Sequence, residues 1–185
     1  IMPLPTLNVY LSADGQIGIS LIHWDNPGRA IISEFMILAN YLAASALVEA
    51  NVPGLFRYQE EPYRRVLQET QGEYSLFHCL QQRKYLNRVG WSLEPKPHSG
   101  MGLEYYTNLT SPLRRFIDLI IQRQVKSIAT GTKPQYTRDQ IAELLTYVEP
   151  ALKKAQKVQF LRRRYWLLKY LETQNEKKYE AIYLY

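Results

Sequence analysis

Two adjacent arginines in the middle of the chain, Arg114 and Arg115, are the residues whose type and position best suit phosphate binding. Just before them, Ser111 is a favourable helix N-cap and Pro112 suits the first helical position. The apolar spacing that follows predicts a helix from Ser111 to about Ala129. Because a helix N-terminus is already partly positive, two cations in its first turn favour an anion that binds from outside. Nucleic-acid phosphate is the obvious candidate.

The composition is compatible with such a partner. The 185 residues carry a formal net charge of +6 and are 46% hydrophobic, which is enough for one globular domain with a core. Fifteen tyrosines and three tryptophans supply rings that can stack on the bases of single-stranded nucleic acid. Cys79 is the only cysteine, so a disulfide within one chain is excluded and a reducing, cytoplasmic location is expected.

Hydropathy and the N-terminus add two further expectations. We find no uninterrupted apolar run that looks long enough to cross a bilayer, and therefore expect no membrane partner. The chain begins at Ile1 rather than at methionine, so we expect a fragment or a processed piece.

The pattern of local signals predicts a mainly helical α+β fold. Residues 7–12 and 17–22 alternate like strands, and Asp14-Gly15 between them is a strong hairpin signal. Because two strands alone are rarely stable, we expect this N-terminal hairpin to belong to a larger antiparallel sheet. From about Arg29 to Ala50, apolar residues cover nearly every helical face, which predicts a buried helix.

The remaining segments are mostly helical in pattern. Residues 60–88 predict two helical pieces that break near Gly72, and the glycines and prolines of residues 90–104 predict an irregular loop. A capping box at residues 137–140 starts a helix that Pro150 is expected to interrupt, and a long helix then runs to about residue 172.

Three blocks of sequence occur in an order that is specific to one family. The first runs from Ser33 to Asn40, and small residues follow at positions 43 and 44. The second is Leu55-Phe56-Arg57 with a proline five residues later, and the third extends from Pro97-His98 to Leu119 with Thr110-Ser111-Pro112-Leu113-Arg114-Arg115-Phe116 near its end. Over about residues 7–175, the chain resembles the catalytic (RNB) domain of the ribonuclease II and ribonuclease R exoribonucleases.

The resemblance implies a domain organisation and an activity. Residues 1–178 would be the C-terminal part of an RNB catalytic domain, and residues 179–185 would begin a strand that leads to a missing C-terminal domain. The activity implied is 3′-to-5′ hydrolysis of single-stranded RNA to nucleoside 5′-monophosphates with Mg²⁺.

The acidic residues needed for the metal are absent from this stretch of sequence. In the resembling family, an aspartate cluster near the front of the domain binds the metal, and no such cluster occurs here. The Mg²⁺ ligands are thus expected outside this chain, in the remaining part of the catalytic domain upstream of Ile1. The expected partners are therefore that part of the domain and single-stranded RNA. Whether this chain alone is an enzyme stays open. The alternative is a non-catalytic RNA-binding or scaffold piece that has lost the metal centre.

The resemblance assigns catalytic roles to Glu34 and Arg114. Glu34 would orient the attacking water or the terminal ribose, although a glutamate at a helix start is also stabilised by the helix dipole alone. Arg114 would bind the scissile phosphate and stabilise charge in the transition state. Its alternative is an ion pair with Asp118, one helical turn further on.

Five other residues are candidates for RNA binding. Tyr106 could hydrogen-bond or stack on RNA, or simply pack in the core. Arg115 could hold Asp118 or contact a backbone phosphate. The hydroxyls of Thr110 and Ser111 could reach phosphate, although Ser111 is first expected to cap a helix. His98 lies in a loop and could contact RNA, although a lone histidine there is more often structural or exposed.

The basic run 162–166 could also touch RNA, but we expect it to be a solvated helix face with Trp166 in the core.

Overall fold

A computed structural model describes residues 6–22, 26–66, 75–174 and 178. The predicted α+β, mainly helical fold class is confirmed, while the strand predicted at residues 179–185 and the break near Gly72 lie outside the described residues. The elements in chain order are β1 (Thr6–Leu11), β2 (Ile17–Ile22), α1 (Pro27–Glu49), β3 (Phe56–Tyr58), α2 (Leu76–Lys84), β4 (Gly90–Ser92), α3 (Phe116–Thr130) and α4 (Arg138–Glu172).

The predicted N-terminal hairpin is present. Strands β1 and β2 pair antiparallel over six residues each, with Leu7 opposite Leu21. Gly15 in the connecting turn has φ of +78°, a conformation that glycine adopts without steric cost. Within the described residues this sheet has two strands, and its membership of a larger sheet stays a prediction. The guanidinium of Arg163 donates to the backbone oxygen of Leu7, and Trp166 is half-buried rather than in the core.

The core lies where α1, α3 and the start of α4 meet the segment that leads into β3. Small and branched side chains interdigitate there, which keeps the helices close and excludes water. Polar Gln124 of α3 is also fully buried, and its amide bonds the backbone of Pro53 and Tyr136 at 2.8–3.0 Å. The buried apolar cluster consists of Ala44, Leu47, Leu55, Phe56, Ile117, Ile120, Ile121 and Ile141.

Helix α1 is capped at both ends but buried on one face only. The Asn26 side chain accepts from the Arg29 backbone at 3.1 Å, and Asn51 ends the helix at a left-handed φ of 52°. The expectation that this helix is buried all round is wrong for the described chain, because Phe35 is 67% exposed and Ile32 is 61% exposed. Burial depends on which surfaces surround a helix, and apolar composition alone does not supply them.

The same helix bears on the membrane expectation. Its 23 residues contain an 18-residue window of mean hydropathy 1.7, so by length and composition it could cross a membrane. Only 22% of that window is buried, and core helices of soluble proteins pass the same test. Glu34 and Asn40 lie within this helix, so it is not an uninterrupted apolar run, and the absence of a membrane partner stays a prediction.

Two short strands and a shortened helix modify the prediction for residues 60–104. Strands β3 and β4 form a second antiparallel pair, with Arg57 opposite Trp91. The first predicted helical piece is wrong over residues 60–66, whereas α2 confirms the second piece. The predicted loop at 90–104 contains β4 and a 3₁₀ turn at Ser99–Met101. Three-residue strands are stabilised by their partners, so a single sequence stretch carries little trace of them.

Helix α4 confirms the predicted start and contradicts the predicted interruption. The Thr137 hydroxyl accepts from the Gln140 backbone at 3.3 Å, and the Gln140 amide oxygen accepts from the Thr137 backbone at 2.9 Å. The helix then continues through Pro150 for 35 residues in all. A proline removes only one donor from the helical ladder, and the intact bonds on both sides carry the helix past it.

Candidate functional site

The arginine loop, which we define as residues 111–115, is a turn and not the first turn of a helix. The backbone N–H groups of Arg114 and Arg115 donate to the Ser111 carbonyl at 3.3 Å and 3.1 Å. Helix α3 begins at Phe116, with Arg115 in the N-cap position and an extended backbone there. The predicted helix start at Ser111 is therefore wrong, because the extended backbone at Arg115 interrupts the helical conformation, and the Ser111 N–H is bound by a side chain from α3.

That side chain belongs to Asp118, which is fully buried in the first turn of α3. Its Oδ2 accepts from the Ser111 N–H at 2.8 Å and from Arg115 Nη2 at 2.7 Å. One carboxylate oxygen thus joins the beginning of the loop to its end. This contact defines the loop conformation, since a buried charge is tolerated only when it is paired and hydrogen-bonded.

Arg115 points inward and spans the loop. Besides Asp118, its guanidinium lies 3.5 Å from the Thr110 hydroxyl, and with the Asn108 amide turned to satisfy both its groups, 3.3 Å from the Asn108 oxygen. Of the two roles left open by the sequence, the ion pair with Asp118 is formed in the structure. A contact of Arg115 with RNA phosphate stays a prediction.

Arg114, by contrast, points to solvent. Its guanidinium makes one long contact, 3.4 Å to the Ser111 hydroxyl, and it pairs with no acidic side chain among the described residues. The alternative of an Arg114–Asp118 ion pair is wrong, because Asp118 is taken by Arg115. The structure therefore presents one cation outward on a loop that a second cation and a buried carboxylate hold in place.

Tyr106 and His98 are both buried behind the loop. Tyr106 is 5% exposed, its hydroxyl accepts from the Asn40 amide at 2.8 Å, and its ring meets the His98 ring edge-on at 5.7 Å. His98 is also 5% exposed and its Nδ1 has no hydrogen-bond partner in the described structure. Burial and the nearby charge of Arg57 lower the pKa of His98 from its ordinary value of 6.5. Of the two roles that the sequence left open for Tyr106, the structure shows packing in the core, and a contact with RNA stays a prediction.

Asn40 connects α1 to the segment in front of the arginine loop. It is buried, and it donates to the Tyr106 hydroxyl and accepts from the Leu109 N–H, each at 2.8 Å. Glu34, the predicted catalytic carboxylate, is exposed on the same helix. It lies seven residues before Tyr41, and therefore on the same helical face and roughly 10 Å along the axis. Tyr41 stacks on Tyr105 at 6.1 Å, so this face borders the segment that leads to the loop.

Arg57 lies at this site, although the sequence pattern predicted no role for it. It lies in β3, its N–H donates to the Tyr106 carbonyl at 2.7 Å, and its guanidinium is 5.8 Å from the centre of the Trp91 ring. Burial first, and then the charge of Arg115, lower its pKa, while Tyr106 and Asp118 oppose that shift. An arginine in the middle of an apolar stretch, between Phe56 and Tyr58, was the available sequence signal.

The described residues do not include a metal site. No group of three or more histidine, cysteine, aspartate or glutamate side chains lies close enough together within residues 6–22, 26–66, 75–174 and 178 to hold an ion. Cys79 is a free, buried thiol, and the described Asp14 lies in the hairpin turn. What the arrangement can do is bind an anion through guanidinium groups.

Comparison with protein families identifies part of this chain. Residues 64–131 match the RNB domain family, a range that contains the arginine loop and Asp118. An uncharacterised ribonuclease of Synechocystis is 29% identical over 185 residues, which cover 98% of this chain and 27% of that protein. The chain spans about a quarter of the length of this relative.

Solved structures show the same fold. An active-site mutant of the Dss1 exoribonuclease from Candida glabrata superposes with a TM-score of 0.72 and 26% identity, covering 91% of this chain and 23% of that one. Ribonuclease R of Mycoplasma genitalium, solved with ribose-methylated single-stranded RNA, gives a TM-score of 0.61 at 19% identity, covering 80% and 28%. The resemblance that the three sequence blocks indicate is confirmed.

Proposed function

We propose that this chain, which carries part of an RNB domain, contributes the phosphate-binding side of a 3′-to-5′ exoribonuclease acting on single-stranded RNA. The products would be nucleoside 5′-monophosphates. One observation carries the proposal: the Asp118–Arg115 ion pair holds the arginine loop so that Arg114 faces solvent without an acidic partner among the described residues. Because the chain spans about a quarter of its relatives, the activity of the whole protein is part of the proposal.

Arg114 would bind the scissile phosphate. A guanidinium offers donors in a fixed planar fork that matches two phosphate oxygens, and its charge is permanent. As the P–O bond breaks, negative charge grows on the equatorial oxygens, and a donor already in place stabilises it without further reorganisation. The loop geometry supports this role, since Arg114 forms no ion pair with a carboxylate of the described residues.

Glu34 would orient the attacking water or the terminal ribose from the neighbouring helix. Its support is placement: it is exposed on the face of α1 that also carries Tyr41, and α1 is joined to the loop segment through Asn40. A carboxylate can accept a proton or hydrogen bond from water or from a ribose hydroxyl. The proposed RNA contacts of Thr110 and Ser111 use hydroxyls that now face the two arginines.

Metal chemistry would come from outside the described residues. Since those residues form no cluster of metal ligands, they do not fit a Mg²⁺ site, and in this proposal the ion is held by the remaining part of the catalytic domain. The same missing part would cover the exposed apolar face of α1, where Ile31, Ile32 and Phe35 are each more than half exposed. We place the protein in the cytoplasm, as the lone buried Cys79 suggests.

The competing function is RNA binding without cleavage, as a scaffold piece that keeps the arginines and lacks the metal centre. It shares the Arg114 site, so binding alone does not separate the two functions. It predicts salt-sensitive affinity for RNA and no shortening of the strand under any metal condition.

The test uses the full-length protein that contains this chain and a 5′-labelled single-stranded RNA with Mg²⁺. Arg114→Ala should slow shortening by at least about 100-fold, the usual effect of removing one donor to a developing oxyanion. Arg83→Ala, at an exposed arginine in the last turn of α2, is the matched control and should stay within about twofold. A rate for Arg114→Ala within about twofold of wild type would rule out the assigned role, and no cleavage by wild type would favour the scaffold.

A further inference from the structure

Arg57 is a half-buried cation without a polar partner. Its guanidinium lies over the Trp91 ring, with the guanidinium carbon 5.8 Å from the ring centre, and its backbone N–H donates to the Tyr106 carbonyl. The guanidinium itself makes no hydrogen bond and no ion pair with any residue that the structure describes. Transferring such a group out of water is costly, and the stacking contact with Trp91 offsets only a part of that cost.

The neighbours of Arg57 leave an excess of unpaired donors. Among the described residues, Arg115 is the other cation that affects the Arg57 pKa, and the carboxylate that does so is Asp118, which is already bonded to Arg115. Three buried polar atoms here have no hydrogen-bond partner among the described residues: the donor Arg115 Nε, the ring nitrogen His98 Nδ1 and the acceptor Asp118 Oδ1. His98 is 5% exposed, and the charge of Arg57 helps to lower its pKa.

From this arrangement we infer that Arg57 is the recognising group of a second anion site, distinct from Arg114, which takes a phosphodiester of the bound RNA strand. This inference rests on the proposed function, because RNA supplies the anion. A phosphodiester provides the negative charge that Arg57 lacks, since Asp118 already pairs with Arg115, and it offers two oxygens to the planar Arg57 guanidinium. The acceptor Asp118 Oδ1 opposes this binding, because its charge would repel an anion that came close, and the two guanidiniums outweigh that single carboxylate.

Free phosphate could supply the same anion as an RNA phosphodiester. A second alternative is that Arg57 binds no ligand and has a purely structural role. A structural role would make the Arg57–Trp91 stack stabilising, so loss of the charge would lower stability. A ligand role predicts the opposite, because removing an unpaired buried charge while keeping the apolar stem is neutral or stabilising. Arg57→Met keeps the stem and removes the charge, and Arg57→Lys keeps both.

The experiment measures RNA affinity of the full-length protein against salt concentration, with EDTA present to prevent cleavage. For single-stranded RNA, each phosphate contact contributes roughly 0.7 to the slope of log affinity against log salt. Arg57→Met should reduce the slope by about 0.7 and weaken binding roughly tenfold near 0.1 M salt, with an unchanged or higher melting temperature. Arg57→Lys should keep the wild-type slope, and Arg83→Met should change neither quantity.

RNAs that carry one uncharged methylphosphonate linkage then locate the phosphate. One position should weaken wild-type binding and have no further effect on Arg57→Met, which is expected only if both changes remove the same contact. An unchanged slope for Arg57→Met overturns the second site while leaving the proposed function intact. If Arg57→Met leaves the slope for RNA unchanged but abolishes competition by inorganic phosphate, the assignment to an RNA phosphodiester is also overturned. Arg57 would then belong to a site for free phosphate. If wild type binds no RNA, the proposed function and this site both fail.

Discussion

Replacing Asp118 with asparagine removes one negative charge from a fully buried position while leaving its shape almost unchanged. In the structure, Asp118 Oδ2 accepts from the Ser111 N–H at 2.8 Å and from Arg115 Nη2 at 2.7 Å. The amide oxygen of asparagine can keep one of these bonds. The Arg115 guanidinium, however, then loses its only ionic partner among the described residues.

The expected cost follows from how deeply the pair is buried. Removing one partner of a fully buried ion pair costs about 3–5 kcal/mol, because the other charge is left uncompensated. The Arg115 side chain is 24% exposed, so water can solvate part of its charge, and the retained shape preserves packing. We therefore expect Asp118→Asn to lower the free energy of unfolding by about 2–3 kcal/mol, or roughly 4–12 °C in melting temperature for a domain of this size.

Urea unfolding followed by far-UV circular dichroism measures this change directly, provided that the slope of the transition is the same in each variant. Asp14→Asn, in the exposed hairpin turn, is the matched control and should stay within about 0.5 kcal/mol of wild type. The double variant Arg115→Met, Asp118→Asn should recover a part of the loss, because it leaves no unpaired charge behind. A loss of less than about 1 kcal/mol, or no recovery in the double variant, would show that this ion pair does not hold the loop.

Two further predictions concern pH and helix capping. Burial and Arg57 lower the pKa of His98, so the unfolded chain binds the proton more tightly; stability should be constant above about pH 6.5 and fall as the pH drops below it. His98→Gln should flatten that slope in unfolding measurements from pH 7.5 to 5, whereas His78→Gln, at an exposed histidine, should retain it. Thr137→Ala should destabilise by about 1 kcal/mol through loss of the α4 cap, and Thr137→Ser should recover most of this in the same assay.

Local signals in the sequence predicted the features that local contacts stabilise. The hairpin around Asp14-Gly15 and the Thr137 capping box are each made by residues within a few positions of one another, so their chemistry is legible in a short window. Gln124 is a contrasting case, because its hydrogen-bond partners are distant in sequence. It interrupts an otherwise apolar helical stripe, and the structure shows its amide fully satisfied by the backbone of Pro53 and Tyr136.

The errors arose where a residue outside the window decides the outcome. Ser111 has the properties of an N-cap, but the Asp118 carboxylate, seven residues away, binds its N–H and delays the helix to Phe116. Helix α1 has an apolar composition on nearly every face, yet burial requires surfaces that the described chain does not provide. The three-residue strand that carries Arg57 is formed by pairing with β4, more than 30 residues along the chain. Because that pairing places Arg57 at the site, a short window of sequence around position 57 does not predict it.

The correction to the helix start also changes the physical basis of anion binding. The sequence predicted that Arg114 adds to the positive end of a helix dipole. In the structure, α3 begins at Phe116, two residues after Arg114, and its first turn contains the negative Asp118. The dipole is therefore offset where it would have helped. Positive charge at this site comes instead from the guanidiniums of Arg57, Arg114 and Arg115, opposed by one carboxylate. Since side-chain charges of this kind release counterions from RNA one by one, the affinity of the site should follow their number and the salt concentration, whereas a helix-dipole site would be nearly indifferent to replacing any one of them.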